Sequence, residues 1–245
     1  MHLKNLLHKF LSGILNRING TGLTSTEMVE RLRNSGVLVG ENVLFRYPDH
    51  TVIDVTRPSL VEFGNNIDIN DNFSLMTHDF STFVFRECYG DFVNSSGRVK
   101  IGNNVVFGRD VSVFKGVTIG DNCIIGAGSI VTKSIASGSV AVGNPARVIC
   151  SLDEYYQKRK TKQLSEALEY GRSIIERYGR EPVIGDFAEE WTLFLTEKDY
   201  ENPECAKHVD FRMGKYKNQL FEKDRPFNGF EEFKKAIISS AKIES

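Results

Sequence analysis

The sequence predicts a mainly β fold in which short strands wind into a three-sided solenoid, and two observations carry this prediction. First, apolar residues recur every six positions between 101 and 135, at Ile101, Phe107, Val113, Ile119, Ile125 and Val131. Second, glycine follows this position at 102, 108, 120 and 126, and the same phase runs earlier from Val39 to Leu75. Helices repeat near every 3.6 residues and ordinary strands near every two, so a period of six indicates neither.

A six-residue period is typical of a solenoid in which each repeat forms one face and three repeats complete a coil. The apolar position then points into a triangular core. We expect the glycine beside it to allow the backbone to turn at the corner. A generic β-sandwich is the alternative, but it gives no reason for six consecutive copies to stay in one register.

Residues 1–36 are predicted to form an N-terminal helical segment. Apolar residues from Leu3 to Ile18 follow helical spacing, with basic residues nearby. We expect this first helix to pack against the solenoid or a neighbouring subunit. Peripheral membrane contact through its mildly basic face is the alternative. A second short helix is expected after a break at Gly20–Gly22, with Thr24 or Ser25 as its cap.

Residues 37–150 are predicted to form the solenoid, which is interrupted once by a loop at 76–100. The apolar phase ends at Leu75 and resumes at Ile101, a gap eight residues longer than one coil. The loop contains several aromatic residues and a polar run near its end. Because a long loop that leaves a rigid scaffold usually carries function, we expect the functional site at this loop.

Residues 151–245 are predicted to form a helical C-terminal extension. Apolar residues from Leu152 to Tyr178 suit one long amphipathic helix, and Gly179 is well placed to end it. Further apolar clusters lie around Trp191 and Phe230. We expect Trp191 to lie in the core of this region rather than to serve as a ligand platform.

Composition narrows the classes of function. The formal net charge is −1, without the basic excess or the motifs of a nucleic-acid-binding protein. The four cysteines lie far apart and form no CxxC pair, which favours reduced thiols over a disulfide framework or a zinc site. We therefore expect a cytoplasmic protein that binds no nucleic acid.

His78, at the entrance of the loop, is the strongest candidate for a catalytic residue. A histidine can take a proton from a hydroxyl group near neutral pH. Asp79 is a candidate for orienting its ring, although adjacent side chains often point apart. Glu87, Asp91 and a backbone carbonyl are the alternatives for that role.

Two segments carry a resemblance to a known family. The first is the glycine-rich repeat over 119–133, and the second is the close Gly143-Asn144-Pro145-Ala146. With the Met76-Thr77-His78 loop entrance, they resemble the hexapeptide-repeat acyltransferases, whose fold is a left-handed parallel β-helix. The chain looks most like the bacterial capsule and O-antigen polysaccharide O-acetyltransferases, whose helical C-terminal extension is also similar.

The resemblance implies a homotrimer that uses acetyl-CoA as cosubstrate, requires no metal and acetylates a carbohydrate hydroxyl. The donor would lie in the groove between neighbouring solenoids. The resemblance also assigns donor-binding positions: the backbones at Arg109 and Ala127 would contact the pantetheine arm, and Thr132, Lys133 and Arg147 would lie toward the nucleotide. Arg109, Ala127 and Pro145 follow one another at intervals of three repeats, so we expect them to stack along one edge.

Three other functions fit the same fold. A xenobiotic or nucleotide-sugar N-acetyltransferase would share the donor site and differ only in its acceptor. A non-catalytic β-helix used for assembly would have no use for His78. A metal-dependent carbonic anhydrase needs three histidines on neighbouring coils, whereas only His50 and His78 lie within the predicted solenoid.

Overall fold

The computed structural model describes residues 22–241 of the 245-residue chain. The predicted first helix, Leu3–Ile18, lies outside the described residues. The described chain divides into two compact units, which meet in sequence between Tyr155 and Tyr156. The first unit contains the strands, and the second is helical.

Short strands of the first unit build three sheets that the chain visits in rotation. Sheet 1 contains β1 (Leu38–Val39), β4 (Val61–Phe63), β7 (Val99–Ile101) and β10 (Thr118–Ile119). Sheet 2 contains β2 (Val43–Phe45), β5 (Ile67–Ile69), β8 (Val105–Phe107), β11 (Cys123–Ile125), β13 (Ser139–Val142) and β14 (Arg147–Ser151). Sheet 3 contains β3 (Val52–Ile53), β6 (Ser74–Leu75), β9 (Ser112–Val113) and β12 (Ile130–Val131). All pairs except β13–β14 are parallel, which supports the predicted left-handed parallel β-helix.

The spacing of three repeats holds only between the two coils that follow the loop. Val105 pairs with Cys123, three repeats later, as the period predicts. In the first coil Val43 pairs with Ile67, because 3-10 turns at Pro48–His50 and Pro58–Leu60 lengthen two of its corners. Residues stacked across the loop are 38 apart rather than 18, so the insertion is larger than the eight residues counted from the phase. The gap from Leu75 to Ile101 underestimates the insertion because these two residues lie on different sheets and do not stack on each other.

Asparagine, rather than the repeat glycine, makes the turn between sheets 1 and 2. Asn42, Asn66, Asn104 and Asn122 all have left-handed backbones, with φ of 55–57°. Each side-chain amide donates to the next one along the stack, at 2.9, 3.1 and 2.9 Å. Asparagine tolerates this conformation better than most residues, and its bonds offset part of the cost.

The repeat glycines have a different role from the predicted one. A Cβ atom on Gly64 would lie 2.6 Å from the carbonyl oxygen of Gly102, and one on Gly108 would lie 2.5 Å from the amide nitrogen of Ala127. Stacked coils therefore approach too closely at these corners for any side chain. Close approach, and not a positive φ, requires glycine here.

The solenoid core is continuous, and its N-terminal end is covered. Phe73 and Phe107 pack edge to face inside it, with ring centroids 4.9 Å apart. Helix α1 (Ser25–Ser35) is capped by Thr24, one of the two predicted caps, and the hydroxyl of Thr24 and the side chain of Glu27 form a reciprocal cap. Its buried residues Met28 and Leu32 join the solenoid core.

The last coil departs from the three-repeat spacing. Ile125 pairs with Ala141, two positions short of three full repeats. Ile130 donates its amide hydrogen to the carbonyl of Gly143, so Pro145 does not stack on Ala127 as predicted. Strand β14 then turns back antiparallel to β13.

The second unit is formed by helices around an aromatic core. Helix α3 (Leu152–Tyr178) begins just before it, and Gly179 ends that helix with φ of 61°, as predicted. Helices α4 (Glu197–Tyr200), α5 (Pro203–Met213) and α6 (Phe230–Ala241) follow. Trp191 is buried, and its indole N–H donates to Ala188 at 3.0 Å, which confirms a core role. Within residues 22–241, no helix is both long enough and apolar enough to span a bilayer.

Candidate active site

The inserted loop leaves and re-enters the solenoid through a short two-stranded base. His78 pairs with Ser96 in an antiparallel bridge, and the amide of Gly97 donates to the carbonyl of Thr77 at 2.9 Å. Between these ends lies helix α2 (Thr82–Tyr89), which has no buried residue. The base therefore holds His78 in place even though most of the loop is exposed.

His78 is paired with an aspartate from the preceding coil. Its Nδ1 lies 2.6 Å from Oδ2 of Asp54, which follows strand β3 directly. Both side chains are largely buried, with 18% of His78 and 10% of Asp54 exposed. The exposed ring of Phe80 packs edge to face on the imidazole, with centroids 5.0 Å apart.

The Asp54 carboxylate is held as an anion. Its Oδ2 accepts hydrogen bonds from the amide and hydroxyl of Thr77 at 3.0 and 2.5 Å. Its Oδ1 accepts from the amide and hydroxyl of Thr56 at 3.0 and 2.6 Å. Burial disfavours the charged form, but these hydrogen bonds outweigh burial and hold the pKa of Asp54 well below its usual range.

The carboxylate of Asp79, the predicted orienting group, bonds residues other than His78. It accepts hydrogen bonds from Lys115 and from Ser81, and Lys115 also bonds Ser95 on the other side of the loop base. Hydrogen bonding by the Lys115 ammonium, and to a smaller extent by Ser81, holds the pKa of Asp79 well below its usual range. Through Lys115, Asp79 and Ser95 thus connect the two ends of the loop to the solenoid.

A second histidine–aspartate pair occupies a different corner. Arg109 lies between sheets 2 and 3, and its Nη2 donates to Oδ2 of Asp71 at 2.7 Å. Nδ1 of His50, one coil earlier, lies 2.7 Å from Oδ1 of the same carboxylate. Asp71 is mostly buried while His50 and Arg109 are exposed, and hydrogen bonding by His50 lowers the pKa of Asp71.

The remaining predicted donor residues are all exposed, but they lie at two corners. Ala127 stacks on Arg109 between sheets 2 and 3, where the amide of Gly128 donates to the carbonyl of Arg109 at 2.8 Å. Arg147 starts β14 opposite Val142, near the same corner.

Thr132 and Lys133 follow β12 at the corner between sheets 3 and 1, which is the corner of His78 and Lys115. One chain therefore carries the predicted donor positions Arg109, Ala127 and Arg147 on one edge of sheet 3. It carries the predicted base and the other two donor positions on the opposite edge. No hydrogen bond joins the two sets within the described residues.

Comparison with known proteins identifies the repeat. Residues 98–133 match the family described as the hexapeptide repeat of succinyl-transferase. The chain is 36% identical to Protein CapG of Staphylococcus aureus over 129 residues, which cover 53% of this chain and 74% of that protein. The chain belongs to the hexapeptide-repeat acetyltransferases. It is therefore an acyltransferase.

Other acetyltransferases also match this chain. A candidate acetyltransferase of S. aureus strain Mu50, SAV2555, is 43% identical over 81 residues, which cover 33% of this chain and 39% of that protein. The solved maltose O-acetyltransferase of Clostridium difficile 630 is 29% identical, with a TM-score of 0.38, covering 57% of this chain and 83% of that one.

Sequence reasoning about this hexapeptide-repeat acetyltransferase missed Asp54, and the reason is geometric. Asp54 stacks beneath Met76 and Thr77 because the amide of Asp54 donates to the carbonyl of Leu75 at 2.9 Å. His78 and Asp54 are further apart in sequence than three repeats, since the first coil is longer than the regular ones. The sequence contains one signal for this pairing. Asp54 directly follows the strand Val52–Ile53, and Met76 holds the same position after the stacked strand Ser74–Leu75.

Among the described residues, no group of three or more histidine, cysteine, aspartate or glutamate side chains is arranged to hold a metal ion. His50 and His78 belong to separate corners, each paired with its own aspartate. The site around His78 can instead accept and return a proton, because its ring is held by an anion on one nitrogen.

Proposed function

We propose that this protein is a cytoplasmic, homotrimeric O-acetyltransferase that moves the acetyl group of acetyl-CoA to a sugar hydroxyl. The acceptor would be a cell-surface polysaccharide, such as a capsule or an O-antigen, or its precursor. The observation that carries the proposal is the pair His78–Asp54 at the base of the loop. Family membership supports the acyl transfer, and the motif resemblance supports the glycan acceptor.

The geometry of this pair suits a general base. With Asp54 ionised, the Nδ1–H group of His78 donates a hydrogen bond to the carboxylate, which leaves the lone pair on Nε2. Asp54 fixes this tautomer and stabilises the imidazolium that forms when Nε2 takes a proton. This is the division of labour seen wherever a buried carboxylate orients a catalytic imidazole.

The chain's residues then act in sequence on the bound substrates. Acetyl-CoA, when bound, supplies the acetyl group as a thioester. Nε2 of His78 removes the proton of the acceptor hydroxyl as its oxygen bonds to the acetyl carbon and the carbon–sulfur bond breaks. His78 then returns the proton to the leaving thiolate, so that its imidazole ends the reaction in the protonation state in which it began.

The division of the predicted site between two corners supports a trimeric assembly. Arg109 and Ala127 offer backbone to an extended ligand on one edge of sheet 3, and His78, Thr132 and Lys133 lie on the other. A neighbouring chain that sets its His78 edge against the Ala127 edge would complete the groove. Lys133 and Arg147 would then supply positive charge for the donor's phosphates.

Exposed aromatic side chains on the loop beside His78 favour a sugar as the acceptor. Phe80, Phe83, Tyr89 and Phe92 are each more than half exposed there. An aromatic ring offers an apolar face to the C–H side of a sugar while leaving the sugar hydroxyls free to react.

The test is a transfer assay with radiolabelled acetyl-CoA against capsular polymers, nucleotide sugars and chloramphenicol. We expect label on a polymer or its precursor as an alkali-labile ester. Replacement His78→Gln should abolish the transfer without changing coenzyme A affinity. Label held only as an alkali-stable amide on a nucleotide sugar or drug would instead identify an N-acetyltransferase. A folded trimer without any transfer would favour the assembly function.

Ala127→Trp tests the placement of the donor. Ala127 is exposed, and the backbone of the adjacent coil passes directly beneath it at Gly108. A bulky ring there should fill the pantetheine path without disturbing the core. Calorimetry should show loss of coenzyme A binding at an unchanged melting temperature; undiminished binding would place the donor elsewhere.

A further inference from the structure

A set of polar side chains, Asp71, Arg109 and His50, lies at the corner between sheets 2 and 3, and the mechanism above uses none of these side chains. Asp71 is 12% exposed and accepts from both Arg109 and His50, which are 64% and 59% exposed. Each of these two bonds uses one side of its donor group. With Nδ1–H of His50 bonded to Asp71, Nε2 carries a lone pair and can accept a hydrogen bond, whereas the other guanidinium N–H groups of Arg109 can donate.

An aromatic ring extends this set. Tyr47 stacks on His50 with ring centroids 6.1 Å apart and an interplanar angle of 10°, and it is half exposed. The 3-10 turn Pro48–His50 connects the two rings rigidly, since proline fixes its first residue. The result is a flat apolar surface beside polar groups whose directions are fixed by a buried carboxylate.

The height of this set along the solenoid places it next to the proposed chemistry. His50 belongs to the first coil and Asp71 to the second, and His78 leaves the second coil at the opposite edge of sheet 3. In a cyclic trimer whose axis follows the solenoid, equal coils lie at equal heights. The His78 edge of a neighbouring chain would therefore face Asp71 and His50. Adjacent coils are about 4.8 Å apart. Along the line that runs from Ala127 to Arg109, Asp71 therefore lies one coil further on.

We propose that Tyr47, His50 and Arg109, held by Asp71, form the subsite that binds the sugar ring of the acceptor. Tyr47 packs on the apolar face of the ring, the free N–H groups of Arg109 donate to its hydroxyl oxygens, and Nε2 of His50 accepts from one of its hydroxyl groups. This assignment rests on the proposed function, because it names the residues that select that enzyme's acceptor. A ring flanked by hydroxyls fits a platform with a donor group and an acceptor at its edge, whereas a flat apolar drug would leave those polar groups unpaired.

The test compares Tyr47→Ala and His50→Gln with two matched controls in the second unit, Tyr216→Ala and His208→Gln. Tyr216 is 52% exposed, close to the 49% of Tyr47. For the best acceptor found in the transfer screen, we expect the acceptor KM to rise about three- to tenfold in each subsite variant. The KM for acetyl-CoA should stay the same, and both controls should match the parent.

A second readout does not depend on turnover. The His50 ring resonance, assigned by its loss in His50→Gln, should shift when the acceptor sugar is titrated into the parent, and this shift should vanish in Tyr47→Ala. If the network only braces the long first coil, both variants will lower the melting temperature while the acceptor KM and the His50 shift stay unchanged, which overturns the subsite.

The two proposals fail in different ways. A parent enzyme that acetylates sugars with KM values insensitive to Tyr47 and His50 loses the subsite and keeps the proposed function. A parent enzyme that acetylates none of the sugars loses the proposed function. In that case the subsite is decided by titrating the same sugars against the His50 resonance, and the absence of a shift overturns it as well.

Discussion

At the scale of single residues, the proposed chemistry depends on which carboxylate faces His78. Asp54 and Asp79 both carry a carboxylate that could orient the ring, and only Asp79 is adjacent to His78 in sequence. The fold selects Asp54, since the stacked coils bring β3 beneath the loop entrance. His78 itself could be chosen from the sequence because the loop interrupts a regular repeat, whereas its partner depended on the length of an irregular coil.

The two aspartates can be separated by experiment. Asp54→Asn should lower kcat by about 10²–10⁴, because an amide neither fixes the tautomer nor stabilises the imidazolium. Asp79→Asn is the matched control and should cost much less, since it weakens only the contact with Lys115. Steady-state kinetics at saturating acetyl-CoA would measure both. A larger loss for Asp79→Asn would return the orienting role to that residue.

Asp54 also predicts an acid-dependent contribution to stability. Its folded-state pKa lies below the ordinary value of 3.8, so the unfolded chain binds the proton first as the pH falls. The stabilisation is therefore complete above 3.8 and is lost as the pH drops toward the folded value. The difference in unfolding free energy between the parent and Asp54→Asn should be smaller at pH 3 than at pH 7. Equal differences at the two pH values would contradict this linkage.

At the scale of elements, the six-residue period predicted the strands but not the way their corners are made. Inward positions such as Ile101 and Ile125 could be read directly, because burial follows the period. The left-handed turn at Asn104 and Asn122 could not be assigned that way, since glycine was the obvious candidate for it. The long first coil was also hidden, because its length remains a multiple of six.

The asparagine corner predicts an unusual order of stability for two variants. Asn122→Ala should destabilise the solenoid by about 1–3 kcal/mol, since alanine is strained in the left-handed backbone and loses the bond from Asn104. Asn122→Gly should cost about 1 kcal/mol, because only the side-chain bond is lost. Urea unfolding followed by circular dichroism would rank them. Alanine as stable as glycine would show that the backbone conformation carries no penalty here.

At the scale of the whole molecule, the division of the site between two edges makes assembly testable. If each site uses the His78 edge of one chain and the Ala127 edge of its neighbour, two inactive variants should rescue each other. Mixed trimers of His78→Ala and Ala127→Trp chains, formed by refolding together, should regain a fraction of parental activity. Each variant refolded alone is the control and should stay inactive.

The mass of the assembly decides the same question independently. Light scattering should give three times the 27.6 kDa of one chain. A particle of 27.6 kDa at working concentration would remove the shared site, and mixed trimers without activity would place each site within one chain.

The covered ends of the solenoid have a consequence for solubility. A stack of parallel coils exposes unpaired backbone groups at each end and could in principle grow without limit into a fibre. Helix α1 covers the first coil with Met28 and Leu32, and β14 closes the last by reversing its direction. Each end thus carries a terminator that another copy cannot extend. Charged replacements at Met28 and Leu32 should lift α1 from the core, and the freed end should then seed fibres that bind thioflavin; a variant that stays soluble would show that β14 alone is enough to stop growth.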